Sequence, residues 1–172
     1  MIEIRIVKVI MVGCLAIFAS LVTFDNLADY DANFEFVRHV LSMDTIFPGN
    51  ALLYRRVTSP ALWEAAYAVI ILGEGLTAAA LAGGAGVLLR HVRSPVRFNR
   101  GRRFVVIGVG MGFLVWFFGF MVVGGEWFAM WQSHQWNGQD AAFRFYMTQL
   151  AVLIFVNQPD TAGADAGSRT GE

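Results

Sequence analysis

An apolar stretch from Pro60 to Leu89, with the carboxylate of Glu74 near its middle, limits the possible folds more than any other feature. A helix of about 30 residues extends roughly 45 Å, whereas about 20 apolar residues already cross the hydrocarbon core of a bilayer. Ser59 and Pro60 are typical of a helix start. The stretch therefore predicts a long transmembrane helix that tilts or protrudes from the bilayer.

Composition supports a membrane protein. Of the 172 residues, 56% are hydrophobic and only 15% are charged, which is too apolar for an ordinary soluble domain. The formal net charge is zero, so overall charge gives no indication of a nucleic-acid partner. A single cysteine, Cys14, excludes an intramolecular disulfide and a multi-cysteine zinc site. The expected surroundings are a lipid bilayer.

Four apolar segments predict an all-α fold, a four-helix transmembrane bundle in one domain of residues 1–157. Apolar residues at helical spacing also predict a short amphipathic helix at about residues 32–45, on the membrane surface. We expect it to form an outer-face cap, residues 32–59, with an aromatic-rich loop at 126–140. Residues 158–172 are small and polar, and predict a disordered cytoplasmic tail. The expected spans are residues 4–24, 61–89, 104–125 and 140–157.

The first span carries polar residues near both ends. Arg5 and Lys8 are expected to extend outward to the interface between lipid and water. Asp25 and Asn26 follow the apolar run and are expected to end the helix.

The connection between the second and third spans is rich in arginine, which indicates its side of the membrane. Short loops with an excess of basic residues stay in the cytoplasm. Both termini are therefore expected to be cytoplasmic, and binding of anionic lipid is a secondary consequence. The arginines are Arg90, Arg93, Arg97, Arg100, Arg102 and Arg103.

Glu74 is the sharpest candidate for function. A charge at the bilayer centre costs on the order of 3 kcal/mol even on the mildest scale, so Glu74 is expected to be paired or neutral. We expect the neutral form, bonded to Thr77, Gln149 or a backbone carbonyl. A structural link between helices is favoured, and a proton-relay or ion-site carboxylate is the alternative.

Other polar residues give weaker indications. Glu64 and Arg144 each lie about one turn inside a span and are expected to form an interfacial pair. Two carboxylates and two imidazoles in the outer segments have the ligand chemistry of a mixed metal site, although wet loops commonly carry such residues. No histidine lies within a span, which argues against a transmembrane bis-histidine haem, and no cofactor is expected. The metal-site candidates are Glu35, His39, Glu126 and His134.

Two stretches carry a resemblance to a known family. They are FVRHVLSMDTIFPGN at Phe36–Asn50 and EWFAMWQSHQWNGQDAAFRF at Glu126–Phe145. With Glu74 and the four spans, they resemble predicted small integral membrane proteins grouped as domain of unknown function 2165, over residues 1–157. The resemblance implies four helices and a bacterial membrane, here the inner membrane. It carries no activity, cofactor or catalytic residue.

Three functions remain open from the sequence. Close-packing glycines and the lack of a catalytic constellation favour a non-enzymatic accessory or assembly subunit of a membrane complex, with a membrane-protein partner or a homo-oligomer. The alternative is a small transporter or proton-coupled carrier that uses Glu74. An outer-face metalloenzyme is a third and weaker possibility.

Overall fold

The computed structural model describes residues 2–159, and within them the protein is all-helical with no strand. Short 3₁₀ turns at Ala51–Arg55 and Met130–Gln132 lie in the connections. The five helices are α1 (Ile2–Ala28), α2 (Tyr30–Ser42), α3 (Pro60–Arg90), α4 (Pro95–Trp127) and α5 (Gln139–Asn157). The predicted tail lies outside the described residues from position 160 onward.

Within residues 2–159, three helices are long and apolar enough to cross a membrane, namely α1, α3 and α4. The fourth predicted span corresponds to α5, which has 19 residues. It does not meet the same standard of length and hydropathy, because polar side chains such as Arg144 and Gln149 interrupt it. The protein is therefore a helical membrane protein with three candidate spans.

Two helix boundaries differ from those predicted. The predicted first span ended at residue 24, but α1 continues to Ala28, because Asn26 turns inward to side chains of α3 instead of ending the helix. The predicted third span began at residue 104, but α4 begins at Pro95, directly after Ser94. Proline at the first helical position starts a helix at no hydrogen-bond cost. Most of the arginine-rich connection is therefore helical.

The second half of α4 has an unusual conformation. It is α-helical over Pro95–Phe113 and then forms a π-helix over Leu114–Trp127, 14 residues long. π-Helices usually occur as single-turn bulges, often at functional sites. We call residues 114–127 the π-segment, and its conformation is one that functional sites often contain.

The long helices pack around a common interior, with α3 between α1 and α4. Glycines allow α3 and α4 to approach closely. A Cβ atom at Gly84 would lie 3.3 Å from the backbone nitrogen of Val105, and one at Gly108 would lie 3.1 Å from that of Leu81. Small residues of this kind hold helices together in a bilayer, where no hydrophobic force drives the helices together.

α5 runs antiparallel to α4 over most of the length of α4. Its first residue, Gln139, lies against Gly125. Farther along α5, Gln149 lies against Gly112, and Arg102 donates to the carbonyl oxygen of Asn157 at 3.2 Å. α5 therefore lies beside α4 from one end of the bundle to the other.

The two ends of the bundle differ in chemistry. One, called here the arginine end, carries the α3–α4 connection and the last residues of α5. Arg5 and Lys8 were expected to extend outward to the lipid interface, but both are buried there: Arg5 donates to the carbonyl of Val92 at 3.2 Å, and Lys8 donates to that of Gln158 at 2.7 Å. Basic groups that meet carbonyls at a helix C-terminus stabilise it.

The opposite end, called here the loop end, carries residues 29–59 and 128–138. These two segments contact each other directly. Gln132 Oε1 accepts from the Asn50 side chain at 2.8 Å, and the hydroxyls of Thr45 and Ser133 lie 2.8 Å apart. Met43 is buried in a cluster with Phe128 and Ala129. The end of α2 and the segment that follows it thus pack against the second loop.

Candidate functional site

Glu74 lies in the bundle interior, 2% exposed, and is bonded to α1. The Asn26 side-chain amide donates to Glu74 Oε2 at 2.6 Å. The Tyr67 hydroxyl in turn lies 3.0 Å from the Asn26 carbonyl and 3.3 Å from Asn26 Oδ1. Asn26, Tyr67 and Glu74 form a buried polar network, and a bond to a buried carboxyl in an apolar interior is costly to lose.

The partner of Glu74 differs from the expected ones. Thr77, although fully buried, donates to the Gly73 carbonyl of its own helix at 2.7 Å. Gln149 lies at α4, where its Oε1 atom has no hydrogen-bond partner within residues 2–159. The expected side-chain link from Glu74 to Thr77 or Gln149 is therefore replaced by the link to Asn26.

A small cavity of about 200 Å³ adjoins this network. Asn26, Tyr67 and Glu74 line it, together with Asn33 of α2 and the ring of Trp116 in the π-segment. The cavity therefore combines hydrogen-bonding groups with an aromatic wall.

A larger apolar cavity of about 650 Å³ lies beside it, between the first half of α3 and the π-segment. Phe128 and Met130 of the second loop and one face of α2 line it at the loop end. Its volume falls in the range of roughly 300–1,000 Å³ typical of ligand pockets. The larger of these two cavities is thus apolar and lies in the loop-end half of the bundle.

Beyond Glu74, toward the arginine end, the interior is filled with hydrocarbon side chains. All four long helices contribute to this cluster, which we call the apolar seal: Val12, Leu15, Ala16, Leu81, Leu88, Phe98, Val105, Val109, Val152 and Val156. Leu81 and Leu88 follow Glu74 by two and four helical turns, so along α3 the seal begins roughly 10 Å beyond Glu74 and ends roughly 20 Å beyond it. A close-packed interior of this kind leaves no room for water.

Glu64 has a different partner from the expected one. It accepts a hydrogen bond from the hydroxyl of Tyr30, at the start of α2. This bond raises the pKa of Tyr30 above its ordinary value, because the neutral hydroxyl is the form that donates. Arg144 is exposed, and no ion pair joins it to Glu64 among the salt bridges of the described residues. The expected interfacial pair is therefore not formed.

The four metal-site candidates are not brought together as a group, although His39 Nε2 lies 3.6 Å from Glu35 Oε2. His39 Nδ1 lies 2.9 Å from both carboxylate oxygens of Asp44, and its ring stacks on Trp136 with 4.5 Å between centroids. Glu35 accepts from Arg38 Nε at 2.8 Å. Across residues 2–159, no group of three or more histidine, cysteine, aspartate or glutamate side chains is arranged to hold a metal ion. Glu126 and His134 are exposed.

The arginines of the α3–α4 connection are mainly solvated. Arg90, Arg93, Arg97, Arg100 and Arg103 are exposed, whereas Arg102 is half-buried and reaches the end of α5. Such a surface suits contact with anionic headgroups.

Sequence reasoning missed two residues that organise the interior. Asn26 looked like a helix stop, because it follows an apolar run and an aspartate. Lys8 looked like an interfacial residue near the N-terminus. For each, the signal was a polar side chain at helical spacing within an otherwise apolar helix, but its partner lies 48 residues away for Asn26 and 150 residues away for Lys8.

Comparison with known proteins gives one match. No curated protein and no solved structure matches the chain. Residues 4–159 match the family described as predicted small integral membrane protein (DUF2165), which covers nearly all of the described residues. The chain therefore belongs to the DUF2165 family of predicted small integral membrane proteins.

Proposed function

We propose that this protein is a non-enzymatic accessory or assembly subunit of a larger complex in the bacterial inner membrane. In this proposal α1, α3, α4 and α5 cross the membrane, and residues 29–59 and 128–138 form a cap on the outer face. The function is to bind another membrane protein, or another copy of the chain, within the bilayer.

The packing of α5 supports a fourth span. Because α5 lies beside α4 between Gly125 and Arg102, it occupies the same depth as a helix that crosses the bilayer. Gln149, the polar residue at its middle, is 2% exposed and faces the bundle rather than lipid. A span whose polar residue faces inward tolerates a lower overall hydropathy.

The charge distribution supports cytoplasmic termini. The arginine-rich connection lies at the same end of the bundle as Arg5, Lys8 and the end of α5. The positive-inside rule favours a cytoplasmic location for that end. Attachment of a reporter such as alkaline phosphatase near Thr45 or after Gln158 tests this orientation. We expect activity on the outer face only from the fusion near Thr45.

One observation carries the proposed interaction. The arginine-end half of α3 presents small residues outward as well as inward: Ala79, Ala82, Gly83 and Gly86 are exposed. Pairs four residues apart, 79 with 83 and 82 with 86, lie on one face and form two overlapping small-xxx-small patterns. No other atom would lie within 4 Å of a Cβ at Gly83 or Gly86. A second helix has room to approach this face closely, and we call it the small-residue face.

The carrier alternative rests on buried Glu74, and the apolar seal counts against it. A carrier has to expose its site to each side in turn. In this bundle a path from Glu74 to the arginine end would have to pass the fully buried side chains of Leu81 and Leu88. The seal favours a static bundle.

Affinity purification from native membranes tests the proposal. We expect a stoichiometric partner or a defined oligomer to elute with the tagged chain in a mild detergent. The double variant Gly83→Leu/Gly86→Leu should lose it, because leucine side chains hold a second helix away.

Gly110→Leu is the matched control, since Gly110 is also exposed and a Cβ there meets nothing within 4 Å. Recovery of the same partner with the double variant would contradict the proposed face. A monodisperse monomer whose pH-dependent flux in liposomes is lost in Glu74→Gln would instead select the carrier.

A further inference from the structure

The two cavities of the loop-end half share a wall. Phe36 and Val37 of α2, Ile70 of α3 and Phe120 of the π-segment line both of them. One cavity is apolar, and the other contains the network of Glu74. A molecule with a hydrocarbon end and a polar end would place each end in matching surroundings on the two sides of this wall.

The larger cavity borders the surface that faces lipid. Several of its lining side chains are strongly exposed, among them Val69 by 68%, Leu114 by 62% and Phe118 by 53%. Val69 and Leu114 lie on helices long and apolar enough to cross the membrane. At that depth the solvent is hydrocarbon, so the cavity is open to a lipid chain that enters sideways.

The polar groups that line the smaller cavity determine which charge the polar end of such a molecule can carry. Its described lining residues include the carboxyl of Glu74 and the side-chain amides of Asn26 and Asn33, and no basic side chain. A phosphate or carboxylate head would lie near another acidic group without a cation to neutralise it, which is unfavourable at low dielectric. An uncharged head with hydroxyl groups can both donate to and accept from amides and a carboxyl.

From these two cavities we infer that the protein holds a membrane amphiphile with one hydrocarbon chain and an uncharged, hydroxyl-bearing head, of the monoacylglycerol class. The chain lies in the larger cavity between α3 and the π-segment. The head lies in the smaller cavity beside Asn33 and Glu74, and passes the shared wall at Ile70 and Phe120. The site is separate from the small-residue face of α3, so its test does not depend on the proposed partner.

Photo-crosslinking in lipid nanodiscs tests the inference. The probe is a monoacylglycerol with a diazirine in its acyl chain, and peptides that it labels are identified by mass spectrometry. We expect saturable labelling of residues 62–73 and 111–124, which excess 1-monooleoylglycerol suppresses. The same diazirine chain on phosphatidylglycerol, or as a free fatty acid, should label these residues only weakly and without saturation.

A matched pair of variants locates the chain. Gly119 lines the larger cavity, and a Cβ there meets only its own helix, at 3.7 Å, so leucine fits but fills the space. Gly119→Leu should lower the saturable labelling about tenfold, equivalent to about 1.4 kcal/mol of binding. Gly110→Leu makes the same change on the same helix outside the cavity and should label normally. Equal labelling of both variants, or by all three probes, would overturn the inference and leave ordinary lipid contact.

A third variant locates the head. Asn33 is exposed at the surface of α2 and lines the smaller cavity, so Asn33→Leu should leave folding intact. We expect 1-monooleoylglycerol to compete several-fold less well in this variant, because a hydrogen-bonding group is lost. An unchanged competition curve would overturn the placement of the head. Absence of saturable lipid adducts in the wild-type protein would overturn the inference, and is the result expected if a second copy of the chain fills this cavity.

Discussion

The two halves of the bundle differ in how α3 meets α4. In the arginine-end half, Gly84 and Gly108 bring the helices into backbone contact, and the apolar seal fills the interior. In the loop-end half, α4 becomes a π-helix, and two cavities lie between it and the neighbouring helices, although Trp116 still packs with Ala19 of α1 and Ala78 of α3. The buried polar network of Asn26, Tyr67 and Glu74 lies at the border between the two halves.

This difference separates stability from binding along one helix pair. Close contact through glycine gains van der Waals packing but leaves no space for another molecule. The loop-end half gives up part of that packing and keeps both space and hydrogen-bonding groups in the interior. We therefore expect substitutions in the arginine-end half to change mainly stability. Substitutions around the cavities should change mainly binding.

Gly108→Leu should have the largest effect on stability, because it disrupts the close contact between α3 and α4 in the arginine-end half. A Cβ at this position would lie 2.9 Å from the side chain and 3.1 Å from the backbone nitrogen of Leu81, so α3 and α4 would have to move apart. We expect a loss of about 3 kcal/mol in the free energy of unfolding, at the upper end for overpacking. Chemical unfolding in mixed micelles measures it. Gly110→Leu, which meets open space, should stay near wild type, and equal losses would contradict the comparison.

Glu74→Leu should have the second-largest effect on stability, because it removes a bond at the border between the two halves. The Asn26 amide would lose its acceptor in the interior, at a cost of about 2 kcal/mol. Glu74→Gln keeps an acceptor oxygen and should cost less than about 1 kcal/mol. Size-exclusion profiles and unfolding curves of the two variants measure the contrast. A stable, well-assembled Glu74→Leu protein would mean that the network does not link α1 to α3.

Lys8→Met should have a moderate effect confined to the arginine end. Methionine keeps much of the length of the side chain but loses the bond to the Gln158 carbonyl, and bonds to charged donors contribute about 1.5 kcal/mol or more. We expect the end of α5 to fray, seen as faster proteolysis or hydrogen exchange near residue 157. Unchanged exchange there would show that Lys8 does not hold α5.

Tyr30→Phe should have the smallest effect, at the surface of the loop end. The bond to Glu64 raises the pKa of Tyr30 above 10.0, so folding is favoured while the hydroxyl is neutral. The contribution is complete below the ordinary tyrosine pKa and is lost as pH rises through the higher folded value. Absorbance titration of wild type minus Tyr30→Phe should give a transition above pH 10.0. A transition at or below that pH would contradict the bond.

The apolar runs predicted much of this fold, because the bilayer imposes a length on any helix that crosses it. Residues 61–89 were expected in a span and α3 covers Pro60–Arg90, with proline at its first position. The start of α4 was missed, because an arginine-rich segment reads as a loop until Ser94 and Pro95 are taken as a helix start. The π-segment has no known sequence signal of its own.

The candidate site was predicted only in part. Glu74 was recognised because a carboxylate within an apolar helix is costly wherever its partner lies. Its partner, Asn26, was not recognised, because pairing between helices depends on their rotation and depth, which one sequence does not specify. The cavities arise from the divergence of α3 and α4, and no local pattern records that divergence.

Labelling of a cysteine at the smaller cavity, from each side of the membrane in turn, is the most direct test of the account. It shows whether the bundle is open at the loop end and sealed at the arginine end. Cys14 is the sole cysteine, so Cys14→Ala/Ala142→Cys places one thiol beside Glu74 in the lining of the small cavity. A small, membrane-impermeant thiol reagent is then applied to proteoliposomes of each orientation. We predict labelling from the loop end alone. Labelling from the arginine end would mean that the apolar seal opens, and would contradict a static bundle in favour of a carrier.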